Sequence, residues 1–333
     1  MAKRNKACYS GIGGQAVLEG IMMKNKEKYA IAVRRPDGTI GVELENYQGV
    51  GHGSRIKELP LIRGVFNFAD SMILGTRALN FSASFYDEED GGQSGVDKAL
   101  DKMTGGRAEQ FMTTIVTVIS VVLAIGIFIV LPYFLSSLFQ EYLMNTSLLA
   151  IIEGAIRIAI FLLYVWAISL MKDIRRLYRY HGAEHKCINC IEHGHRLSVQ
   201  NVMRSSRLHR RCGTSFMFFV MFVSIILFFF IRVQNPLYRI LLRILLIPVV
   251  AGISYEIIRL AGRSDNVLVR ILSVPGMLIQ RMTTKEPDEG MVEVAIAAVE
   301  AVFDWRKYLK ENFGYGEQDV TLVSAESADG EEA

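Results

Sequence analysis

Tyr180-His181-Gly182-Ala183-Glu184-His185 contains the spacing H-x-x-E-H. On a helix, residues four apart lie one above the other, so both imidazoles would project from one face and could share a divalent cation. Glu184, next to that face, could take a proton from an attacking water, the general-base role in metal-assisted hydrolysis. The same short pattern occurs in the inverted zincins. Glu192 follows His185 by seven residues and returns to the same face if the helix persists, where a carboxylate can act as a third ligand or orient one. His209 and Cys212 come shortly after and extend the donor set.

A second arrangement competes for the same segment. Cys187-x-x-Cys190 followed by His209-x-x-Cys212 has the spacing of a zinc knuckle or ribbon. The first site would be catalytic with an open position, the second structural and closed, and spacing does not separate them. In the plainest reading Cys187 and Cys190 are ordinary small residues and His193 and His195 are solvated loop histidines. Zinc is the divalent cation that best suits either donor set.

Three other features could contribute. Glu256 sits in an apolar stretch, where a carboxylate needs a partner; it either completes the cluster or pairs with Arg259 or another arginine. Glu153 and Arg157, four apart, read as a structural pair that Arg243 could join. The segment Gly11-Ile12-Gly13-Gly14-Gln15-Ala16-Val17-Leu18-Glu19-Gly20 lacks the Gly-Lys-Ser/Thr of a phosphate loop and opens no helix, so it is not a nucleotide fingerprint. Gln15 and Glu19 could line the site from outside the ligand set if this segment folds over it.

The elements that must position these residues are mostly apolar. Of 333 residues 51 % are hydrophobic, and the excess is concentrated. Phe111 to Gln140 has no charge, Leu148 to Met171 is interrupted only by Glu153 and Arg157, Gly213 to Ile231 is uncharged, and Leu237 to Leu260 carries charges mainly near its ends. Each matches the roughly 20 residues that cross a bilayer, giving an expected mainly α, polytopic four-helix membrane domain over 111–260. None of the four shows an interruption at mid-membrane, which disfavours a transporter or channel. Ten Lys and Arg lie between Lys172 and Arg211 and none between Phe139 and Ser147. By the positive-inside rule the long connection at 172–212 is cytoplasmic, as are both termini. The basic start, Met1 to Lys6, precedes polar sequence and does not read as a secretory signal.

Outside the membrane, residues 1–55 read as a small β-rich cytoplasmic module. Its apolar runs are Ala16 to Met23, Tyr29 to Val33 and Ile40 to Leu44, with one hairpin turn at Pro36-Asp37-Gly38. Residues 56–110 hold an amphipathic helix, with Ile62, Val65, Phe66, Ala69, Met72, Ile73 and Leu79 on one face, then a linker at Asp87 to Gly95. Residues 261–315 read as cytoplasmic amphipathic helices, one broken at Pro275-Gly276 and one from Met291 to Leu309. The acidic tail, 316–333, reads as disordered. The net charge of +3 fits a basic inner face against lipid and does not suggest nucleic acid. Oligomeric state has no signal.

The motifs at 13–23 (GGQAVLEGIMM), 181–186 (HGAEHK), 207–216 (RLHRRCGTSF), 251–256 (AGISYE) and 259–263 (RLAGR) resemble the YqhQ-like family of bacterial membrane proteins, over about residues 10 to 310. The resemblance implies a metal-dependent enzyme of unestablished reaction in the bacterial plasma membrane. In that family's pattern a Tyr usually precedes the Glu matching Glu192, where this chain has Ile191; Cys187 is outside the pattern and Cys190 is variable. That favours His181, His185, Glu192, His209 and Cys212 as the set to test, with Glu184 as the base. The expected function is hydrolysis at the bilayer surface. The rival is a non-catalytic factor that inserts, assembles or monitors membrane proteins with a structural cluster, binding partner helices, ribosome or lipid.

Overall fold

The computed structural model describes residues 7–86, 108–142, 146–231, 233, 235–263 and 266–315; the expected linker at 87–95 and tail at 316–333 lie outside the described residues. Four strands, β1 (Gly13–Val17), β2 (Gly20–Asn25), β3 (Lys28–Arg34) and β4 (Ile40–Asn46), form an antiparallel meander in sequence order. The Pro36-Asp37-Gly38 hairpin joins β3 to β4, but it is one of three. The run Ala16 to Met23 is cut at Leu18-Glu19, where Glu19 takes φ 49° and Val17 pairs with Gly20. Neither this turn nor Lys26-Glu27 carries the Asn-Gly or leading-Gly signal of two-residue hairpins, so the periodicity ran through them.

The rest is helical: α1 (Ile62–Ser84); α2 (Ala108–Ile125), which passes through a π turn at Gly126–Val130 into Leu131–Ser137; α3 (Thr146–Ile168); α4 (Lys172–Glu192); α5 (Val199–Arg204); α6 (Gly213–Phe229); α7 (Pro236–Leu245); α8 (Ile247–Arg263); α9 (Val267–Thr283); α10 (Glu289–Val302); and α11 (Trp305–Phe313). The central segment expected as a long loop is therefore largely α4. The helix expected to break at Pro275 continues through it as α9. The one expected from Met291 to Leu309 divides where Asp304 caps α11 by accepting from the Lys307 N–H.

The sheet is buried on both faces, which its period of two makes explicit. Ile21, Met23, Ala30 and Ala32 pack with α4 and α10, while Met22, Tyr29, Ile31 and Val33 face Leu74 and Ala78 of α1. On α1 the buried positions are thus Gly64, Leu74, Ala78 and Ser82. The apolar stripe read from sequence lies on a different face, with Met72 57 % and Leu79 46 % exposed. Apolar periodicity located the helix but not its protein-facing side.

Among the described residues two helices are long and apolar enough to cross a membrane: 24 residues at Thr114–Ser137 and 22 at Ser147–Ile168. Nearly all described side chains of Ile115 to Leu123 are exposed, Val122 and Leu123 by 60 % or more. A third would be α7 with α8, which together bend by 43°. The last of the four expected spans is therefore bent: Pro248, at the start of α8, has no N–H for the Ile244 carbonyl, and the ladder is interrupted there. The third expected span, α6, is 17 residues, about 25 Å against the roughly 30 Å of a hydrocarbon core.

Glu153, Arg157 and Arg243 form the expected buried group between α3 and α7. Glu153 Oε1 is 2.8 Å from Arg157 Nη2 and 2.7 Å from Arg243 Nη1, and Arg243 Nη2 donates to Oε2 at 2.8 Å. Phe228 of α6 lies 4.9 and 5.0 Å from the two guanidinium carbons.

Candidate metal centre

α4 is the platform. One face carries His181 and His185, and the opposite face carries Ala183, Cys187 and Cys190 into the core shared with the sheet and α10. The end of α5 and the irregular chain 205–212 run beside it, and α4 side chains satisfy their carbonyls: Lys186 Nζ donates to Met203 and Ser205 at 2.8 and 3.0 Å, and Asn189 Nδ2 to Ser206 and Leu208 at 2.6 and 3.0 Å. From the other side Gln280 of α9 acts as a surrogate peptide, accepting from the His209 N–H at 2.9 Å and donating to its carbonyl at 2.6 Å. This delivers Cys212 to the face of α4 at the start of α6, where its Sγ accepts from the Thr214 N–H at 3.4 Å.

The result is a compact donor group. One ligand atom each from His181, His185 and Cys212 lies within 4.8 Å of the others, and His181 Nε2 is 3.1 Å from Cys212 Sγ. His181 Nδ1 meets the Thr283 carbonyl at 3.0 Å and His185 Nδ1 the Arg207 carbonyl at 2.7 Å. A carbonyl only accepts, so both Nδ1 atoms carry a proton, which leaves Nε2 of each ring as the atom that can give up its proton and coordinate, and carbonyls placed in this way orient metal-binding histidines. Burial alone would raise the Cys212 thiol, but His181 and His185 outweigh it and hold it well below its ordinary range. Burial lowers His181, yet the facing thiolate raises it to about 9. Two imidazoles and a thiolate with one side open fit a zinc site that keeps a position for a reactant.

Glu184 borders the same cavity, of about 520 Å³, whose wall includes Gly13, Gly14, His181, His185 and Cys212. It is 4 % exposed, and burial raises its carboxyl above the usual range. The Gly14 N–H reaches one oxygen, and Oε2 has no partner. A Cβ on Gly14 would stand 2.5 Å from the Met22 carbonyl oxygen and 3.2 Å from Glu184 Cδ, so only glycine lets β1 approach here.

The other sequence candidates lie apart from this group. Glu192 is on the expected face but one turn too far. It pairs with Arg211, accepts from the Ser10 N–H and hydroxyl at 2.9 and 2.7 Å, and lies 3.4 Å from His209 Nε2. Burial pushes Glu192 up, but His209 and Arg211 outweigh it and hold it at about 2. Its contribution to stability is therefore complete above the usual 4.5 and lost as pH falls towards 2. The strand-leading segment at Ser10 is expected to gain hydrogen exchange in that window. Exchange unchanged from pH 5 to 3 would contradict it.

Glu256 pairs with Arg63 of α1, with Arg259 at 3.9 Å. Glu19 pairs with Arg176 and accepts from the Tyr180 hydroxyl at 3.1 Å. Gln15 lines the cavity but donates to the Ser71 carbonyl at 3.1 Å, tying β1 to α1. Cys187 and Cys190 are buried in the core, away from Cys212, so no ribbon forms among the described residues. Thr283, Arg207, Gly14 and Arg211 were missed, the first two because they act through main-chain carbonyls that leave no trace in residue type.

Residues 59–305 match the family described as a protein of unknown function, DUF1385. The chain belongs to this family. The match contains every DUF1385 residue that supplies a donor atom here. This DUF1385 protein is also 35 % identical over 289 residues to an uncharacterized protein, YqhQ, of Bacillus subtilis (strain 168), covering 85 % of this chain and 89 % of that one. No solved structure matches it.

Within the DUF1385 chain, Gly182 is the position where α4 meets the segment after α9. A Cβ there would stand 2.0 Å from the Lys285 carbonyl oxygen, and that segment is pinned by the Lys285 N–H donating to Tyr178 at 2.9 Å. Gly182→Ala gains under about 1 kcal/mol of helix propensity and loses about 1–3 kcal/mol to overpacking. It is expected to lower the unfolding midpoint; an unchanged or raised midpoint would contradict the contact.

Proposed function

We propose that this protein is a multi-pass protein of the bacterial plasma membrane, crossing four times with both termini in the cytoplasm, that performs metal-dependent hydrolysis at the inner bilayer surface. The carrying observation is the convergence of His181, His185 and Cys212 with their Nδ1 atoms tied to carbonyls, beside a buried carboxyl with an unpartnered oxygen. A divalent cation, zinc for this donor set, would supply a Lewis acid when bound.

The chain's own residues do the rest. Thr283 and Arg207 hold the imidazoles in the coordinating tautomer. Glu184 accepts a proton from the attacking water, and its raised carboxyl range suits a base that must also return that proton. Gly14 closes the cavity behind it. The exposed apolar flanks of α2 and α3, and the ten basic residues of 172–211, support the membrane placement and its orientation.

The test is metal content by plasma mass spectrometry on detergent-purified protein. About one zinc per chain is expected in the wild type and none in His181→Ala with His185→Ala. Folded wild-type protein without metal would end the metalloenzyme reading.

A further inference from the structure

Three cavities meet at Arg211. The first holds the donor group and Glu184. The second, about 580 Å³, carries Lys57, Arg63, Arg211 and Arg259 against Glu58 and Asp70. The third, about 460 Å³, runs between α1, α6 and α8 and has Phe68, Leu74, Phe216, Met217 and Ile258 in its wall. Arg211 lines all three, and its guanidinium carbon stands 4.1 Å over the Tyr9 ring.

Arg211 is only partly used. Nη2 serves Glu192, while Nη1 is buried without a partner. A buried charged donor left unsatisfied keeps the whole desolvation penalty of its group, so the position favours an added acceptor. In the second cavity Glu256 is engaged chiefly by Arg63 and reaches Arg259 only at 3.9 Å, so Lys57, Arg211 Nη1 and Arg259 can together meet an anion. The third cavity asks for the opposite chemistry, and Phe68 and Met217 on its rim are 43 % and 49 % exposed. A soluble anion would leave this apolar space unused; a neutral lipid would leave the cations unused.

Resting on the membrane-hydrolase reading above, we propose that the substrate is an anionic glycerophospholipid, its phosphate at Lys57, Arg211 and Arg259 and an acyl chain against Phe68, Phe216 and Met217. In such a molecule the acyl ester lies between headgroup and chain, and here the donor cavity adjoins the junction of the other two. Hydrolysis would break the acyl C–O bond, the water oxygen joining the acyl carbon and one water proton passing through Glu184 to the leaving alkoxide.

The test is native mass spectrometry of the full chain in detergent, titrated with dioleoylphosphatidylglycerol, dioleoylglycerol or glycerol 3-phosphate, with metal content read on the same samples. The phospholipid is expected to be retained, with dioleoylglycerol at least about tenfold weaker, as loss of one charge-assisted hydrogen bond implies. Arg211→Gln is expected to weaken retention similarly. Because that variant also frees Glu192, Met217→Trp, which fills the apolar cavity, and Lys57→Gln with Arg259→Gln, both half-buried, are measured beside it and are each expected to weaken retention. Equal retention of dioleoylglycerol, displacement of the phospholipid by equimolar glycerol 3-phosphate, or no effect of Met217→Trp would each overturn the proposal. Lipid lost with metal bound sinks the substrate assignment alone; metal absent with lipid retained sinks the hydrolase reading alone.

Discussion

Glu184→Gln is expected to keep the fold and the bound metal while lowering hydrolytic turnover by about 10²–10⁴-fold, the usual contribution of a positioned general base. The fold should survive because glutamine matches the carboxyl in shape and keeps an oxygen to accept from the Gly14 N–H. Metal should remain because Glu184 is outside the three-donor group. The comparison is kcat and metal content of both proteins on a panel of ester and phosphodiester substrates. If the cluster were only a staple for a membrane-assembly factor, the variant would behave as wild type throughout, and replacing Cys212 would be the damaging change. A Gln variant that turns over at the wild-type rate therefore removes Glu184 from the chemistry.

The second large effect is expected at Glu153→Gln. The carboxylate is 7 % exposed and serves two guanidinium groups, on Arg157 and Arg243, that are 5 % and 3 % exposed. Its removal leaves two like charges buried against Phe228 with no counter-ion. Breaking a buried pair in this way costs about 3–5 kcal/mol. Thermal unfolding in detergent should fall accordingly, and Glu153→Gln with Arg157→Met and Arg243→Met should recover part of the loss. A single variant as stable as wild type would mean the two arginines reach water or headgroups.

What could be read from sequence follows a physical line. His181 and His185 were legible because side-chain donors at helical spacing carry their chemistry in their residue types, and Cys212 because it follows them as a further donor. Glu192 has the right phase on α4 but lies a full turn beyond, where Ser10 and Arg211 were better placed to use it. Nothing in the residue types of Thr283 or Arg207 marks them, since any residue offers a carbonyl. The β-rich start was legible from alternation, whereas two of its turns were not, because their left-handed positions fall on Glu19 and Lys26 instead of glycine. That α2 and α3 are long and apolar enough to cross a membrane was legible from composition; the bend between α7 and α8 depends on one proline near a helix start, where proline is common without bending anything.

The tie between His181 and the Thr283 carbonyl sets an order of events during synthesis. Those residues are separated by about 100 positions, which a ribosome adds in roughly 5–20 s. Until then α4 has its imidazoles and β1 at hand but no acceptor for the His181 Nδ1 proton, and Gln280 has not yet fixed His209. The donor group is thus completed only after the segment that follows α9 has been made and has reached α4.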